Sequence, residues 1–326
     1  MIIDVHNHFY PMKYVEAVAQ QSAQIRVTYD KDGNPELHSP GDINVVVPGH
    51  RDLAHRDKAL TEAGVDHHVF SFTCPGTVVE PPARSVELAR IVNDAFHSAM
   101  QTYPGRFTAL GTLPLNDPQA ALAEYDRAIR QLGFPGVMLY SNVNGTPLHD
   151  ARFHPLYERA NRAGGVFYIH PTYPVGVEAM QDYWLMPLVG FLFDTTLAAA
   201  GLVFSGVVEK FPNVRWVLGH LGGAIPYLAE RLDRGYHAFA DCRANISRPP
   251  SEYLRAQFYY DTVNFDPRAI RFAVDFAGAA HVLAGSDYPH MIGSMRQMQD
   301  AIAAAGLSPA ENQQILGSNA AALFKL

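Results

Sequence analysis

Cysteine is nearly absent from this chain of 326 residues: Cys74 and Cys242 are the only two. They lie far apart and form neither a disulfide framework nor a zinc-ribbon spacing, so both read as packed thiols in a reducing compartment. Positive charge is also sparse. The formal net charge is −7, and no basic tract or arginine-rich face occurs, which argues against nucleic acid as a partner. No G-x-G-x-x-G turn follows an apolar run, so a dinucleotide-binding fold lacks its fingerprint. No apolar stretch is read as approaching the ~20 residues that cross a bilayer. The chain starts directly on an apolar run, which leaves no room for a signal peptide. The expectation is a cytoplasmic protein without membrane contact.

What is present is a rhythm. Short apolar runs recur at Ile2–Val5, His67–Phe72, Phe107–Gly111, Gly136–Tyr140, Val166–Ile169, Val214–Leu218, Phe258–Tyr260 and His281–Ala284. Helix-like segments such as Pro82–Thr102 and Pro118–Leu132 separate them. Asp117 is a candidate N-cap with Pro118 in the first turn, and Gly133-Phe134-Pro135 stops that helix. Continuously apolar strands alternating with helices predict a parallel sheet, and eight such units predict a closed (β/α)8 TIM barrel. The whole chain, 1–326, is read as a single domain. Residues 11–52 are too long for an ordinary loop after a first strand and are expected to form a small inserted lid. Ile25–Tyr29 and Glu36–His38 flank a turn-rich segment there, giving a β-hairpin to which Val45–Val47 could add a strand. Ser308–Phe324 is expected to be a terminal helix with Ser308 as N-cap.

A barrel makes a demand: reactive groups should gather at the C-terminal ends of its strands. The first strand runs into His6-Asn7-His8, the fifth into His170, the sixth into His220-Leu221-Gly222-Gly223, and the eighth into Gly285-Ser286-Asp287. One His-x-His pair is weak evidence, because surface pairs are common. Five groups at four strand ends of one barrel point instead to a metal site, since neutral imidazole is the commonest protein metal ligand. Gly222 and Gly223 would allow a ligand to approach closely, or serve only to pack helix on strand.

His6, His8, His170, His220 and Asp287 resemble the metal signature of the amidohydrolase superfamily. More narrowly, the chain is similar to the aminocarboxymuconate-semialdehyde decarboxylase group, amidohydrolase-related family 2. Stretches carrying that likeness include Leu110–Pro114, Leu132–Val137, Tyr183–Leu185, Val207–Pro212, Phe258–Asp261 and Gly285–Pro289. The resemblance implies His6, His8, His170 and Asp287 as metal ligands. Two-metal members of the superfamily bridge their ions with a carboxylated lysine after the fourth strand. The lysines here are Lys13, Lys31, Lys58, Lys210 and Lys325, none near Gly136–Tyr140. One divalent metal is therefore expected and no organic cofactor. Three nitrogens and one oxygen suit Zn2+, and Mn2+ or Co2+ accept the same set.

The resemblance also implies roles. His220 corresponds to an acid/base histidine, and Asp287 could deliver a proton to carbon besides ligating. Arg56 matches the position of a substrate-carboxylate arginine, with Arg51 as its rival. Arg231 resembles an arginine that reaches a neighbouring subunit's site, which would make the active unit a homodimer. Trp184 is expected to line the pocket, and His290 stands where the group tends to carry phenylalanine. The remaining histidines, His50 among them, are read as ordinary loop or surface residues; of His67 and His68, one could be buried. The leading expectation is a non-oxidative decarboxylase of a small aromatic or muconate-type carboxylic acid. The alternative is a metal-dependent hydrolase or hydratase acting on an ester, amide, lactone or C–C bond.

Overall fold

The computed structural model describes residues 1–39 and 42–326. Its strands, in chain order, begin with β1 (Ile3–Asp4), β2 (Arg26–Tyr29), β3 (Pro35–Ser39), β4 (Asp42–Val45), β5 (His67–Phe70) and β6 (Phe107–Ala109). There follow β7 (Val137–Tyr140), β8 (Asn142–Val143), β9 (Thr146–Pro147), β10 (Val166–His170), β11 (Arg215–Leu218), β12 (Phe258–Asp261) and β13 (Val282–Leu283).

Eight of these close into a barrel. Parallel ladders run in the orders β1-β5-β6 and β13-β12-β11-β10-β7. A bridge between Gly111 and Val137 joins the two arcs on one side. On the other side, Val5 N–H donates to Ala284 O at 2.9 Å, and Asn7 bridges Tyr288. The eight strands predicted from apolar runs are all present, six of them one or two residues shorter than predicted and two, Val166–His170 and Phe258–Asp261, one residue longer. Every residue of β5, β6, β7, β10 and β13 is buried, as expected of a parallel sheet covered by helices. Trp216, Phe167 and Tyr157 pack together between the barrel wall and its outer helices.

Local chemistry sets the helix starts. Asp117 accepts from Ala120 N at the head of Pro118–Arg130, and Ser308 with Glu311 forms a capping box that satisfies donors the first turn leaves free. Helix Pro82–Thr102 has the predicted limits.

Two expectations need correction. The segment after the first strand is not all hairpin: a helix, Met12–Gln20, precedes it, and β2-β3-β4 then form a three-stranded antiparallel sheet. The third strand is Asp42–Val45, earlier than Val45–Val47. The second correction concerns long apolar runs. Met186–Phe204 spans 19 residues at mean hydropathy 1.7, long and apolar enough by composition to cross a membrane. Its apolarity has a local cause. One side of the helix packs on the barrel through Ala198, Ala199, Leu202 and Val203, while the other leaves Leu188, Val189, Phe193 and Leu197 exposed. Asp194 in its middle is buried and accepts hydrogen bonds from Ser141 and Asn142.

Candidate metal centre

The first strand breaks just after Asp4, and the chain from Val5 to His8 bends across the barrel mouth. His6 and His8 still turn to one side, their ring centroids 5.0 Å apart, and both are buried. His170, the last residue of β10, stands 5.3 Å from His6 and 4.8 Å from His8. Ligand atoms of these three histidines all lie within 4.8 Å of one another. Asp287 joins them from the loop after β13: its Oδ1 is 3.4 Å from His6 Nε2 and 3.2 Å from His8 Nε2.

Each ring is held by its outer nitrogen. His6 Nδ1 donates to Asp261 Oδ2 at 2.6 Å, and His170 Nδ1 donates to the Pro171 carbonyl at 2.7 Å. His8 Nδ1 faces Ser71 Oγ at 3.3 Å. Since a carboxylate or carbonyl oxygen only accepts, these contacts put a proton on Nδ1 of His6 and His170 and leave Nε2 as the free atom, a lone pair on His170 and, on His6, the atom that a second proton or a metal takes. His6 Nε2 is buried without a hydrogen-bond partner. Convergent ring nitrogens with outward-fixed protons fit a divalent metal; the resemblance implies His6, His8, His170 and Asp287 as the set, and His220 and His290 also come within ligand distance of Asp287.

Charge balance favours a cation there. Burial opposes charge on His6, yet Asp261 and Asp287 outweigh it and lift its pKa to about 10. Burial, helped by neighbouring imidazoles, pushes His8 and His170 well down. Against its own burial, Asp287 is held well below the usual carboxylate range by His6, His8 and His290. Two ionised carboxylates around His6 thus call for positive charge, which either a second proton or a metal supplies.

His220 stands beside this set, 4.8 Å from His6 and 5.7 Å from His170, centroid to centroid. Burial lowers its pKa to about 4, so the ring is neutral near pH 7. Both His220 (φ 55°) and Asp287 (φ 56°) adopt left-handed backbone, which costs on the order of 1–3 kcal/mol at a non-glycine residue and concentrates at functional sites. Close approach needs glycine nearby. A Cβ on Gly285 would sit 2.7 Å from the His6 Cβ. His290 is half-buried, 5.0 Å from His8.

Other sequence-predicted residues fall elsewhere. Arg56 is fully buried beneath the site and does not face the mouth. It donates to Gly49 O at 3.2 Å, to Asn7 Oδ1 at 2.7 Å, to His68 Nδ1 at 2.9 Å and to the His8 carbonyl. Its ring neighbours are Phe9, Phe70 and Tyr288. With four of its five N–H groups engaged inside the protein, it buttresses the His6–His8 turn. Arg51 is also committed, to Asn34 Oδ1 at 3.0 Å and to Val46 O, anchoring the inserted sheet. Trp184 is 64 % exposed on a left-handed turn with Tyr183, and Arg231 is exposed on helix Ile225–Ala238. In the single chain neither lines the metal hollow.

Three residues had no role assigned from sequence. Asp261, which fixes His6, also accepts from Tyr168 Oη at 2.5 Å; its place at the end of the seventh strand was the available signal. His68 is wholly buried, with Nε2 3.2 Å from Asp4 Oδ2. His50, read as a surface residue, is buried close to His290.

The amidohydrolase family model, Amidohydro_2, matches residues 3–326. This chain belongs to that family. The 2-amino-3-carboxymuconate-6-semialdehyde decarboxylase of Dictyostelium discoideum is 33% identical over 240 residues, covering 73% of this chain and 67% of that protein. The crystal structure of 5-carboxyvanillate decarboxylase from Sphingomonas paucimobilis superposes with a TM-score of 0.87 at 28% identity, covering 100% of this chain and 99% of that one. A dihydroxybenzoic acid decarboxylase from a Polaromonas species, solved with bound manganese and the inhibitor 2-nitroresorcinol, has a TM-score of 0.84 at 25% identity, covering 100% and 97%. The predicted family and barrel are both confirmed by these matches.

Proposed function

We propose that this protein is a metal-dependent non-oxidative decarboxylase of a small aromatic or muconate-type carboxylic acid. The observation that carries the reading is the set of bare nitrogens and one carboxylate at the barrel mouth, in a family member whose relatives named above are decarboxylases. His6, His8, His170 and Asp287 would hold one divalent ion. Zinc suits these donors, and manganese or cobalt fits them equally. When bound, the metal supplies Lewis-acid polarisation of substrate oxygens.

The chain's own residues account for the proton. Loss of CO2 breaks the bond between the carboxyl group and its carbon, and the electron pair left on that carbon must take up a proton. Asp287, ionised among His6, His8 and His290 at rest, is the candidate carrier of that proton: it takes one up from solvent, passes it to the carbon as CO2 leaves, and returns to the carboxylate. His220, neutral and beside His6, accepts or returns a proton at the substrate's polar group. Burial of His6, His8 and Asp287 limits water at the carbanion-like centre. The sheet β2-β3-β4 roofs the mouth in this reading, tied down by Ser39 Oγ against Tyr173 Oη.

The exposed apolar residues Leu188, Val189, Phe193 and Leu197, with Tyr227 also exposed on a helix that contacts theirs, support a homodimer. Arg231 is four residues beyond Tyr227 on the same helix face, so a second copy docked here would bring Arg231 toward the assembly's interior. Two free thiols, Cys74 and Cys242, suit a reducing cytoplasm.

The test is metal analysis followed by CO2 release from a panel of hydroxybenzoates and muconate semialdehydes. About one equivalent of metal and CO2 from a panel member is expected. Hydrolysis of esters or lactones without CO2 release would favour the hydrolase reading instead. His220→Ala should lower turnover by roughly 10²–10⁴-fold while keeping the metal; a metal-free variant would make His220 a ligand. If Arg231 acts across the interface, mixing inactive Arg231→Ala and His220→Ala chains should restore activity through sites drawing one group from each.

A further inference from the structure

His170 differs from the other two candidate histidine ligands in how its ring is aimed. His6 is held by Asp261 at the end of β12, and His8 faces Ser71 just after β5, so side chains on other strands steer both rings. The His170 ring instead donates to the carbonyl of Pro171, its own neighbour in the chain. The direction of its Nε2 is therefore set by the backbone of the loop that follows β10. Whatever fixes residues 170–175 fixes the ligand.

That loop is clamped from outside the metal set. Ser141, just after β7, donates its N–H to the His170 carbonyl at 2.9 Å, and its Oγ accepts from Thr172 N–H at 3.1 Å. Asn142 Nδ2 donates to the Tyr173 carbonyl at 2.9 Å. Both side chains then converge on one carboxylate of helix Met186–Phe204. Ser141 Oγ and Asn142 Nδ2 both donate to Asp194 Oδ2, the second at 2.9 Å. Val175 N–H donates to the same carboxyl group. Asp194 is 4 % exposed. Burial lifts its pKa, against the pull of those three donors.

We propose that Asp194 is a positioning residue for the metal site, aiming His170 through Ser141, Asn142 and the loop 171–175. This rests on the reading of His170 as a metal ligand. A carboxylate accepts on both oxygens, so the Ser141 hydroxyl points its hydrogen at Asp194 and turns a lone pair to Thr172 N–H. Asn142 cannot turn its amide round, because the Tyr173 carbonyl also requires its N–H. An asparagine at position 194 would set its own NH2 against one of the three donors, whichever way it faced. The same helix also supports the opposite side of the hollow. Thr196 Oγ1 accepts from Ala224 N–H at 2.9 Å, and a Cβ added to Gly223 would lie 2.1 Å from Leu192 O. Thr196 thus serves the loop carrying His220, and Asp194 the loop carrying His170.

The experiment is titration of chelator-stripped protein with Co2+, followed by visible absorption, which reports donor geometry as well as affinity. Asp194→Asn and Ser141→Ala should each bind Co2+ roughly ten- to a hundredfold more weakly than wild type, with an altered band at saturation. The double variant should be about as weak as the weaker single one, because both substitutions act along one route. Thr196→Val removes a buried hydrogen bond from the same helix but on the His220 side. It should keep the wild-type band and an affinity within about twofold of wild type. If Asp194→Asn does not fold, Ser141→Ala against Thr196→Val makes the same comparison. Wild-type affinity and band in Asp194→Asn, or equal weakening in Thr196→Val, overturns the proposal and reduces the helix to general support. A wild type that binds no Co2+ overturns the metal reading itself, and the role of Asp194 with it.

Discussion

Asp4 and His6 lie two residues apart at one strand end, yet the layers they belong to treat polar atoms in opposite ways. In the lower layer, Asp4 accepts from His6 N, Ser286 N and Ser286 Oγ, and stands 3.2 Å from His68 Nε2. Arg56 and Asn7 complete that layer, Arg56 with four of its five N–H groups engaged; the exception is His68 Nε2, which approaches Asp4 without a hydrogen bond of good geometry. In the upper layer, His6 Nε2, His220 Nδ1 and both nitrogens of His50 have no protein partner. Saturated buried groups rigidify a fold, and unsaturated ones are held ready for something else. Function at this mouth is marked by what the protein leaves unpaired.

The largest expected effect comes from removing an upper-layer ligand. His170→Ala should abolish metal retention and activity together, with the fold intact by circular dichroism. Its wild-type pairing is confined to one Pro171 carbonyl, so little of the scaffold depends on it. A variant that keeps its metal after dialysis would remove His170 from the ligand set.

The converse holds below. Arg56→Met would leave the His8 carbonyl, Gly49 O and Asn7 Oδ1 without their cationic donor inside the protein. Stability should fall by on the order of 3 kcal/mol or more, read as a lower denaturant midpoint. Protein that remains folded should bind substrate with near-normal KM. An unchanged midpoint with a raised KM would reinstate Arg56 as the substrate clamp.

Why Arg56 was misjudged from sequence is instructive. Arg56 lies on helix Leu53–Ala63, and a side chain that long reaches either the mouth or the layer beneath it. Only the partners choose, and His68, Asn7 and Gly49 are scattered in sequence. The strands were legible because burial on both faces makes them continuously apolar, and the candidate ligands because a barrel collects strand ends at one face. His50 was not legible: it lies on the four-residue helix Pro48–Arg51 after the inserted sheet, outside the barrel's own periodicity. The long apolar helix Met186–Phe204 was missed for a related reason, since Asp194 interrupts its run in sequence while bonding inward to Ser141 and Asn142 in space.

The smallest expected effect sharpens the boundary between the layers, at Asp261. This carboxylate is saturated like the lower layer, by His6, Tyr168 and the backbone N–H of Leu221 and Val263, but it acts through His6 on the upper. With Asp287 it raises the His6 pKa from 6.5 to about 10. A raised folded-state pKa stabilises the metal-free protein fully below pH 6.5 and loses that contribution as pH rises through about 10. Metal and proton compete for the same Nε2, so in that window binding a metal should release close to one proton from His6, and affinity should climb with pH. Calorimetry in buffers of different ionisation enthalpy measures that release. Asp261→Asn removes a main cause of the raised pKa. Metal affinity should then drop by roughly ten- to a hundredfold, and fewer protons should be released per metal at pH 8, because His6 would already be neutral in more of the molecules. Proton release unchanged by the substitution would mean that Asp287 alone holds charge on His6, and that Asp261 belongs with the structural layer.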